Sequence, residues 1–244
     1  MFSMRLYLVI LGLLFLSLFS CQQDKYEHDY VIYHCDPAKE HIKMYWKDEQ
    51  GERIRSLGKL KEVSENRGEE LVFAMNGGMF EPNYTPKGLY IENYQLLQSL
   101  DTLKEGKGNF YLQPNGVFFL TKDNQAKVVS TSTYSHNTML KYATQSGPIL
   151  LLNGEINTVF TPDSVNLNIR NGVGVKENGE VVFAMSKEKV NFYDFAKLFK
   201  ELGCTDALYL DGFVSRAYLP SKKWEQTDGD FGVIIAVSRY PSRN

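Results

Sequence analysis

Four stretches of this chain share one layout, in which a short apolar run meets a turn of glycine and polar residues. The clearest runs from Ala207 to Leu210 as a buried-strand pattern and continues into Asp211, Gly212 and a polar turn that ends at Arg216. A buried strand needs no charge at its end, whereas rigid elements hold functional groups well at the mouth of a sheet. The same layout recurs in residues 71–80, 145–152 and 168–175. We expect the four junctions to meet at one site.

The composition is that of a globular domain. Of the 244 residues, 43% are hydrophobic and 23% are charged, with a net charge of -2 and a pI of about 6.1. Binding to nucleic acid requires clustered Lys and Arg and a basic pI, so no nucleic-acid partner is expected. Many hairpin signals with two or three helix patterns predict an α+β fold, a single domain over residues 30–244 with a mixed, largely antiparallel β-sheet and a few packed helices.

The N-terminus has the pattern of a secretory signal over residues 1–20. Arg5 supplies a positive start, and residues 6–19 form an apolar run too short for a comfortable membrane span. The run ends in Leu-Phe-Ser-Cys21, which resembles a bacterial lipobox. We expect lipidation at Cys21, a tether over residues 21–29, and a protein anchored by acyl chains in the bacterial cell envelope, facing the periplasm or the exterior. An ordinary cleaved signal with a chance cysteine is the alternative.

Two further cysteines, Cys35 and Cys204, leave a disulfide open. An oxidising compartment permits the bond, but each residue also lies in an apolar setting that suits a buried thiol. No CxxC pair and no Cys/His cluster predicts a structural zinc site. No cofactor or metal is indicated, although Asp211 and the loop oxygens are hard ligands that would suit a divalent ion.

The apolar periodicity also predicts individual elements. Asn191 has the position of an N-cap for a helix that ends at Gly203. The expected helices cover residues 55–66, 137–144 and 192–202, the expected hairpins cover residues 110–121 and 172–185, and a strand at residues 43–46 is expected to pair with residues 30–35.

The chemistry of the junctions admits two interpretations for each residue. In Asn76-Gly77-Gly78, the glycines let backbone N–H groups approach a ligand while Asn76 hydrogen-bonds it, or they simply form a turn. Asp211-Gly212 is either a site carboxylate or an ordinary turn. Arg170 is either a surface ion pair or a bidentate clamp on a phosphate or carboxylate.

Two other residue types are weaker candidates. Ser146 near His136 suggests a serine hydrolase, but the Gly-x-Ser-x-Gly elbow is absent. Glu81 follows the Asn-Gly-Gly loop and is the spare carboxylate, although most such glutamates are simply solvated.

Taken together, the four junctions resemble the phosphodiester glycosidase family. The matching segments, in the family's order, are Asn76-Gly77-Gly78-Met79-Phe80, Ser146-Gly147-Pro148, Arg170 with Gly172 and Gly174, and Leu210-Asp211-Gly212 with Ser215. The resemblance extends over about residues 30 to 240. Phe213 stands where the family has a second glycine, and we expect its ring to crowd the site.

The resemblance implies a hydrolase that cleaves the glycosidic bond of a sugar-1-phosphodiester in an envelope or host glycan. It implies Asp211 as the catalytic carboxylate, Arg170 on the phosphate and Glu81 as the second-choice carboxylate. The residues implied to orient the substrate are Asn76, Gly77, Gly78, Ser146, Gly147, Gly212 and Ser215. The alternative is a non-catalytic envelope lipoprotein that binds a glycan or a partner in the same cleft.

Overall fold

The computed structural model describes residues 25–135 and 139–241. The signal segment, Cys21 and His136 lie outside the described residues. The described residues up to Tyr30 belong to one compact unit, and the described residues from Val31 onward belong to a second. Apart from the first residue of β1, all elements below belong to the second unit. In chain order the strands are β1 (Tyr30–Cys35), β2 (Ile42–Tyr45), β3 (Glu70–Asn76), β4 (Tyr90–Glu92), β5 (Gln95–Gln98), β6 (Gly116–Thr121), β7 (Ala126–Ser130), β8 (Leu140–Ser146), β9 (Ile149–Leu152), β10 (Glu155–Ile156), β11 (Asn171–Lys176), β12 (Val181–Ser186), β13 (Cys204–Tyr209), β14 (Ala217–Leu219), β15 (Trp224–Glu225) and β16 (Ile234–Arg239).

These strands form three sheets, with orders β1-β12-β11-β13-β9-β10, β15-β14-β3-β16-β2 and β5-β4-β8-β6-β7. The pairs β11–β12, β3–β16 and β6–β8 are all antiparallel. The predicted α+β class with largely antiparallel sheets is therefore confirmed. Since β11 and β13 are also antiparallel, with Gly172 opposite Tyr209, the start of β11 lies beside the end of β13.

The core lies where the three sheets meet. Phe183 of β12 packs against Phe73 of β3 at 5.1 Å between ring centroids and against Phe118 of β6 at 6.1 Å. All three rings are at most 1% exposed. Burial of each ring stabilises the folded state by on the order of 2–3 kcal/mol. This packing holds together the three sheets that carry the junctions.

Two helices cover the sheets, α1 (Leu57–Asn66) and α2 (Phe192–Glu201). The Asn191 side chain caps α2 by accepting a hydrogen bond from the Asp194 N–H at 2.8 Å. Phe199 of α2 packs so closely on Gly174 of β11 that a methyl group there would come within 2.7 Å of its ring. The predicted helices at 55–66 and 192–202 are confirmed as α1 and α2, and Gly203, in the left-handed region, follows the C-cap of the second.

Three predicted elements are wrong. Residues 109–111 form a short 3₁₀ helix, and the hairpin joins β6 to β7. Residues 140–146 are the strand β8, paired on both sides by β4 and β6, and this ladder outweighs local helix preference. Strand β2 pairs with β16 and not with β1, because its apolar face joins the second sheet.

The two cysteines are free and buried. Cys35 is on β1 and Cys204 is on β13, and two strands separate them in the sheet. Three strand spacings amount to about 14 Å, whereas a disulfide needs Cα atoms roughly 4.4–6.8 Å apart. The fold therefore excludes a bond between them. Burial raises the pKa of both thiols, which suits inert core residues. No helix in the described part of the chain has the length and hydrophobicity to cross a bilayer.

Candidate active site

Asn76, the last residue of β3, joins three of the four junctions. Its Nδ2 donates to the Asp211 carbonyl at 2.6 Å, and its Oδ1 accepts from the Arg216 N–H at 2.9 Å. Its own carbonyl accepts from Nδ2 of Asn171 at 2.8 Å. The residue is 1% exposed. Two of these hydrogen bonds come from the side-chain amide and one from the main-chain carbonyl, and together they fix the end of β3 relative to the segments at Asn171 and at residues 211–216.

The neighbouring glycines are packed against protein atoms. The Gly77 carbonyl accepts from the Asp211 N–H at 3.1 Å, and the Gly77 N–H donates to the Val233 carbonyl at 2.7 Å. A methyl group on Gly78 would overlap the Thr144 hydroxyl and lie 2.8 Å from the Gln145 carbonyl oxygen. The loop therefore needs glycine in order to pack, and ligand approach at these residues stays a prediction.

Two backbone hydrogen bonds connect the remaining junctions. The Tyr209 N–H donates to the Pro148 carbonyl at 3.1 Å, and the Leu210 N–H donates to the Asn171 carbonyl at 3.0 Å. The stretches that end in Asn76, Pro148, Asn171 and Asp211 are thus tied together by hydrogen bonds. The prediction that the four junctions meet is confirmed, whereas the role of each residue stays a prediction. We call this set of hydrogen bonds the junction network.

Asp211 carries a carboxyl group whose pKa is raised above its ordinary value. It precedes a 3₁₀ turn over Gly212–Val214, and it is only partly exposed. Burial raises the pKa of Asp211 to about 6, and a hydrogen bond from the Phe213 N–H opposes part of the rise. The Ser215 hydroxyl donates to the Gly212 carbonyl at 2.8 Å and holds this turn. A carboxyl group that titrates near neutral pH is suited to acid–base or nucleophilic chemistry.

Phe213 does not crowd the site as expected. Its side chain is 93% exposed, and its ring therefore stands in solvent beside the Asp211 turn. Phe213 lies within the 3₁₀ turn over Gly212–Val214, which the sequence does not reveal.

Arg170 is fully buried, at 0% exposed, and so it is not the side chain of a surface ion pair. Its Nε and Nη2 donate to the carbonyls of Val190 and Asn166, both at 2.8 Å, and its guanidinium stacks on the Phe192 ring at 3.6 Å. Burial lowers its pKa from the ordinary value, and the guanidinium remains charged. Nη1 has no hydrogen-bond partner among the described residues.

Tyr209 and Asn171 belong to the site but were missed in the sequence. A methyl group on Gly212 would overlap the Tyr209 hydroxyl, which therefore lies against the Asp211 turn. Burial raises the pKa of Tyr209; Asp211 adds to the rise and Arg170 opposes it, so the three groups are electrostatic neighbours. The one signal for Asn171 was its position directly after Arg170.

Buried polar atoms without partners gather at the junctions. Within the described residues these atoms include Oγ of Ser146, Nη1 of Arg170 and Oδ1 of Asn171, each in a residue that is 0% exposed. An unpaired buried polar group costs about 1–3 kcal/mol, and such a cost is commonly retained at functional sites. The burial of Ser146 also argues against its use as a nucleophile.

Two further candidate residues, Gly147 and Glu81, make contacts with protein groups of their own. A methyl group on Gly147 would lie 2.8 Å from the Phe110 carbonyl oxygen and 2.8 Å from Cβ of Asn115, so this position needs glycine in order to pack. Glu81 is 47% exposed and pairs with Lys87 at 3.2 Å, and no described contact joins it to Asp211. Among residues 25–135 and 139–241 there is no cluster of three His, Cys, Asp or Glu residues that could hold a metal.

Residues 69–235 match the family model described as phosphodiester glycosidase, and this range contains every junction. The chain belongs to the phosphodiester glycosidase family. The chain is also similar to the uncharacterized protein YigE of Escherichia coli (strain K12), with 38% identity over 208 residues, which cover 85% of this chain and 81% of YigE.

Solved structures share the fold. The catalytic domain of zebrafish N-acetylglucosamine-1-phosphodiester alpha-N-acetylglucosaminidase, auto-inhibited by its pro-peptide, matches with a TM-score of 0.59 and 16% identity, over 86% of this chain and 82% of that one. A putative exported protein from Burkholderia pseudomallei matches with a TM-score of 0.56 and 10% identity, over 85% of this chain and 73% of that one. At such identities the likeness concerns the fold.

Proposed function

We propose that this protein hydrolyses the bond between the anomeric carbon of a sugar and a phosphodiester. The observation that carries the proposal is Asp211, whose main chain is held by the junction network and whose carboxyl has a pKa near 6, in a chain of the phosphodiester glycosidase family. An envelope or host glycan is the proposed source of the substrate.

In the proposed reaction the anomeric C–O bond breaks and its electron pair leaves with a phosphate monoester. This leaving group departs with little help from an acid, so the difficult part is to stabilise an oxocarbenium-like centre and to activate water. Asp211, ionised, acts as nucleophile or as base. Water supplies the new oxygen on the anomeric carbon and its proton passes to Asp211 or to solvent.

The other site residues receive supporting roles in this proposal. Arg170 holds the phosphate electrostatically, because its guanidinium is buried and charged, and its attraction strengthens as negative charge develops on the leaving oxygen. Glu81 is the second-choice carboxylate. Seven buried residues are proposed to orient sugar or phosphate by holding the segments of the site in place: Asn76, Gly77, Gly78, Ser146, Gly147, Gly212 and Ser215.

The pH dependence of the rate follows from Asp211. Because burial raises its pKa to about 6, the carboxyl is ionised above that pH and protonated below it. The proposed role needs the ionised form, so kcat/KM is expected to be level near pH 7.5 and to fall tenfold per pH unit below about pH 6. A rate that rises on acidification through this range would contradict the role.

The function is tested by turnover of the soluble domain, from about Gln22, on a panel of sugar-1-phosphodiesters, with and without a divalent metal. Release of free sugar supports the proposal. Tight binding of sugar phosphates without release would instead identify the cleft of a non-catalytic envelope lipoprotein. If the protein neither binds nor hydrolyses any of these compounds, the proposed function is wrong, and only the assignment to the family and the fold remains.

We also propose that the protein is exported and lipid-anchored through Cys21 in the cell envelope. The lipobox-like ending of the apolar run supports this proposal. We expect the full chain in the membrane fraction and the Cys21→Ser variant outside it. If the variant still sediments with membranes, an acyl anchor at Cys21 is wrong.

A further inference from the structure

The aromatic ring of Phe213 stands in solvent beside Asp211. The side chain is 93% exposed, and the residue belongs to the 3₁₀ turn over Gly212–Val214 that directly follows Asp211. A phenylalanine that becomes covered buries about 150–250 Å² of surface, so a molecule that covers this ring gains a favourable apolar contact. A ligand bound at Asp211 is placed to make that contact.

The turn that carries the ring is held on both sides of Phe213. Before it, Gly212 lies so close to the Tyr209 hydroxyl that a methyl group there would overlap it. After it, Val214 packs against the apolar cluster between α1 and the second sheet, and the buried Ser215 hydroxyl donates to the Gly212 carbonyl at 2.8 Å. The backbone therefore presents the ring to solvent from a fixed position.

The backbone of Phe213 also contacts the Asp211 carboxyl, because the Phe213 N–H donates a hydrogen bond to it. Such a bond places the nitrogen about 3 Å from the carboxyl oxygen. With standard bond lengths, the centre of a phenylalanine ring is at most about 5 Å from its own backbone nitrogen. The ring centre therefore lies within about 8 Å of the carboxyl oxygen in every rotamer.

We infer that Phe213 stacks on the sugar ring of the substrate and so helps to select it, and the inference rests on the proposed function. Asp211 reacts at the anomeric carbon only when that carbon approaches the carboxyl oxygen to about 3–3.5 Å. The sugar ring that contains this carbon then lies within reach of the phenyl ring.

The chemistry of the phenyl ring favours the sugar over the phosphate as its partner. The face of the ring carries partial negative charge and has no hydrogen-bonding group. It repels a phosphate oxygen, whereas it attracts the weakly positive C–H hydrogens that one face of a sugar ring presents. We therefore assign Phe213 to the sugar and not to the phosphodiester.

Saturation-transfer NMR tests the contact without requiring turnover. The probes are glucose, galactose, mannose and N-acetylglucosamine, and we expect the wild-type protein to transfer magnetisation to the C–H hydrogens of at least one of them. Phe213→Leu keeps an apolar side chain without the aromatic face, and it is expected to lower the transfer at least about fivefold. Phe213→Tyr is expected to retain it. Tyr240→Leu is the matched control, because Tyr240 is an aromatic residue that is 73% exposed and lies beyond β16.

The kinetic constants separate sugar stacking from a structural role. The contact is made in the ground state and in the transition state alike, so Phe213→Leu is expected to raise KM for a sugar-1-phosphodiester about fivefold and to leave kcat within about twofold. Phe213→Tyr is expected to restore KM. A variant that merely disturbs the Asp211 turn would lower kcat instead.

Each outcome decides for or against the inference. Transfer to none of the four sugars, or transfer that Phe213→Leu leaves intact, overturns it. Hydrolysis with the same KM in Phe213→Leu and in the wild type overturns it while the proposed function stands. Transfer that depends on Phe213, with no hydrolysis of any sugar-1-phosphodiester, retains the sugar contact and overturns the proposed function. A wild-type dimer that Phe213→Leu converts to a monomer in sedimentation would show that a second copy covers the ring, and the inference would be wrong.

Discussion

Asp211→Asn is expected to lower sugar release at least about 10³-fold, because the amide can act neither as nucleophile nor as base. The backbone contacts of Asp211 with Asn76 and Gly77 do not involve its carboxyl, so the fold is expected to persist. The matched control is Asp123→Asn, an exposed residue in the turn between β6 and β7, which is expected to retain full activity.

The same substitution is expected to stabilise the protein at pH 7. The folded-state pKa of about 6 lies above the ordinary value of 3.8, so the folded protein binds this proton more tightly than the unfolded chain. The contribution of Asp211 to the free energy of unfolding therefore falls as pH rises from 4 through 6. Removing the charge is expected to raise that free energy by about 1–3 kcal/mol at pH 7 and to change it little at pH 4.

Activity assays and urea unfolding at the two pH values check both parts. An Asp211→Asn protein with wild-type turnover would remove Asp211 from the mechanism. A variant that is less stable than the wild type at pH 7 would show that the carboxylate is paired and not strained by burial. The combination of lost activity and gained stability is the signature of a site carboxylate that the fold holds at a cost.

Asn76→Ala carries the largest expected loss of stability. It leaves the Asp211 carbonyl and the Arg216 N–H without their partner in a buried position. At about 1–3 kcal/mol for each of the two stranded groups, the free energy of unfolding should fall by about 2–6 kcal/mol. Sugar release should fall as well, because the Asp211 turn is no longer held against β3.

Asn157→Ala is the control for Asn76→Ala. Asn157 is also buried and makes two hydrogen bonds, to the Ile149 carbonyl and from the Val159 N–H, but it contacts neither Asp211 nor Asn76. A similar loss of stability with activity retained on a methyl sugar phosphodiester is expected, assayed where both variants are folded. If both variants lose activity equally, the junction network has no special part in catalysis.

The sequence was most informative where an apolar run ends at a turn. The runs before Asn76 and Asp211 are strands, and the helix after Asn191 begins and ends as its cap and Gly203 predict. Such signals are local, since they depend on apolar periodicity and on the backbone freedom of glycine. Strand β8 was missed because its assignment depends on pairing with two neighbouring strands, which no local pattern encodes.

The parts of the site that escaped prediction depend on contacts between distant segments. Asn171 reaches Asn76 across 95 residues of sequence, and only the sheet order brings the two together. The burial of Arg170 likewise results from Phe192 and from the loop that ends at Asn166. An arginine next to apolar residues is compatible with a surface ion pair until the fold is known.

The most direct test of the account is hydrolysis of a sugar-1-phosphodiester in H₂¹⁸O, followed by mass analysis of both products. The account predicts ¹⁸O on the anomeric carbon of the released sugar and none in the phosphate monoester, because the anomeric C–O bond breaks. Incorporation of ¹⁸O into the phosphate monoester would mean that the P–O bond breaks. That result would make the protein a phosphodiesterase and contradict the role proposed for Asp211.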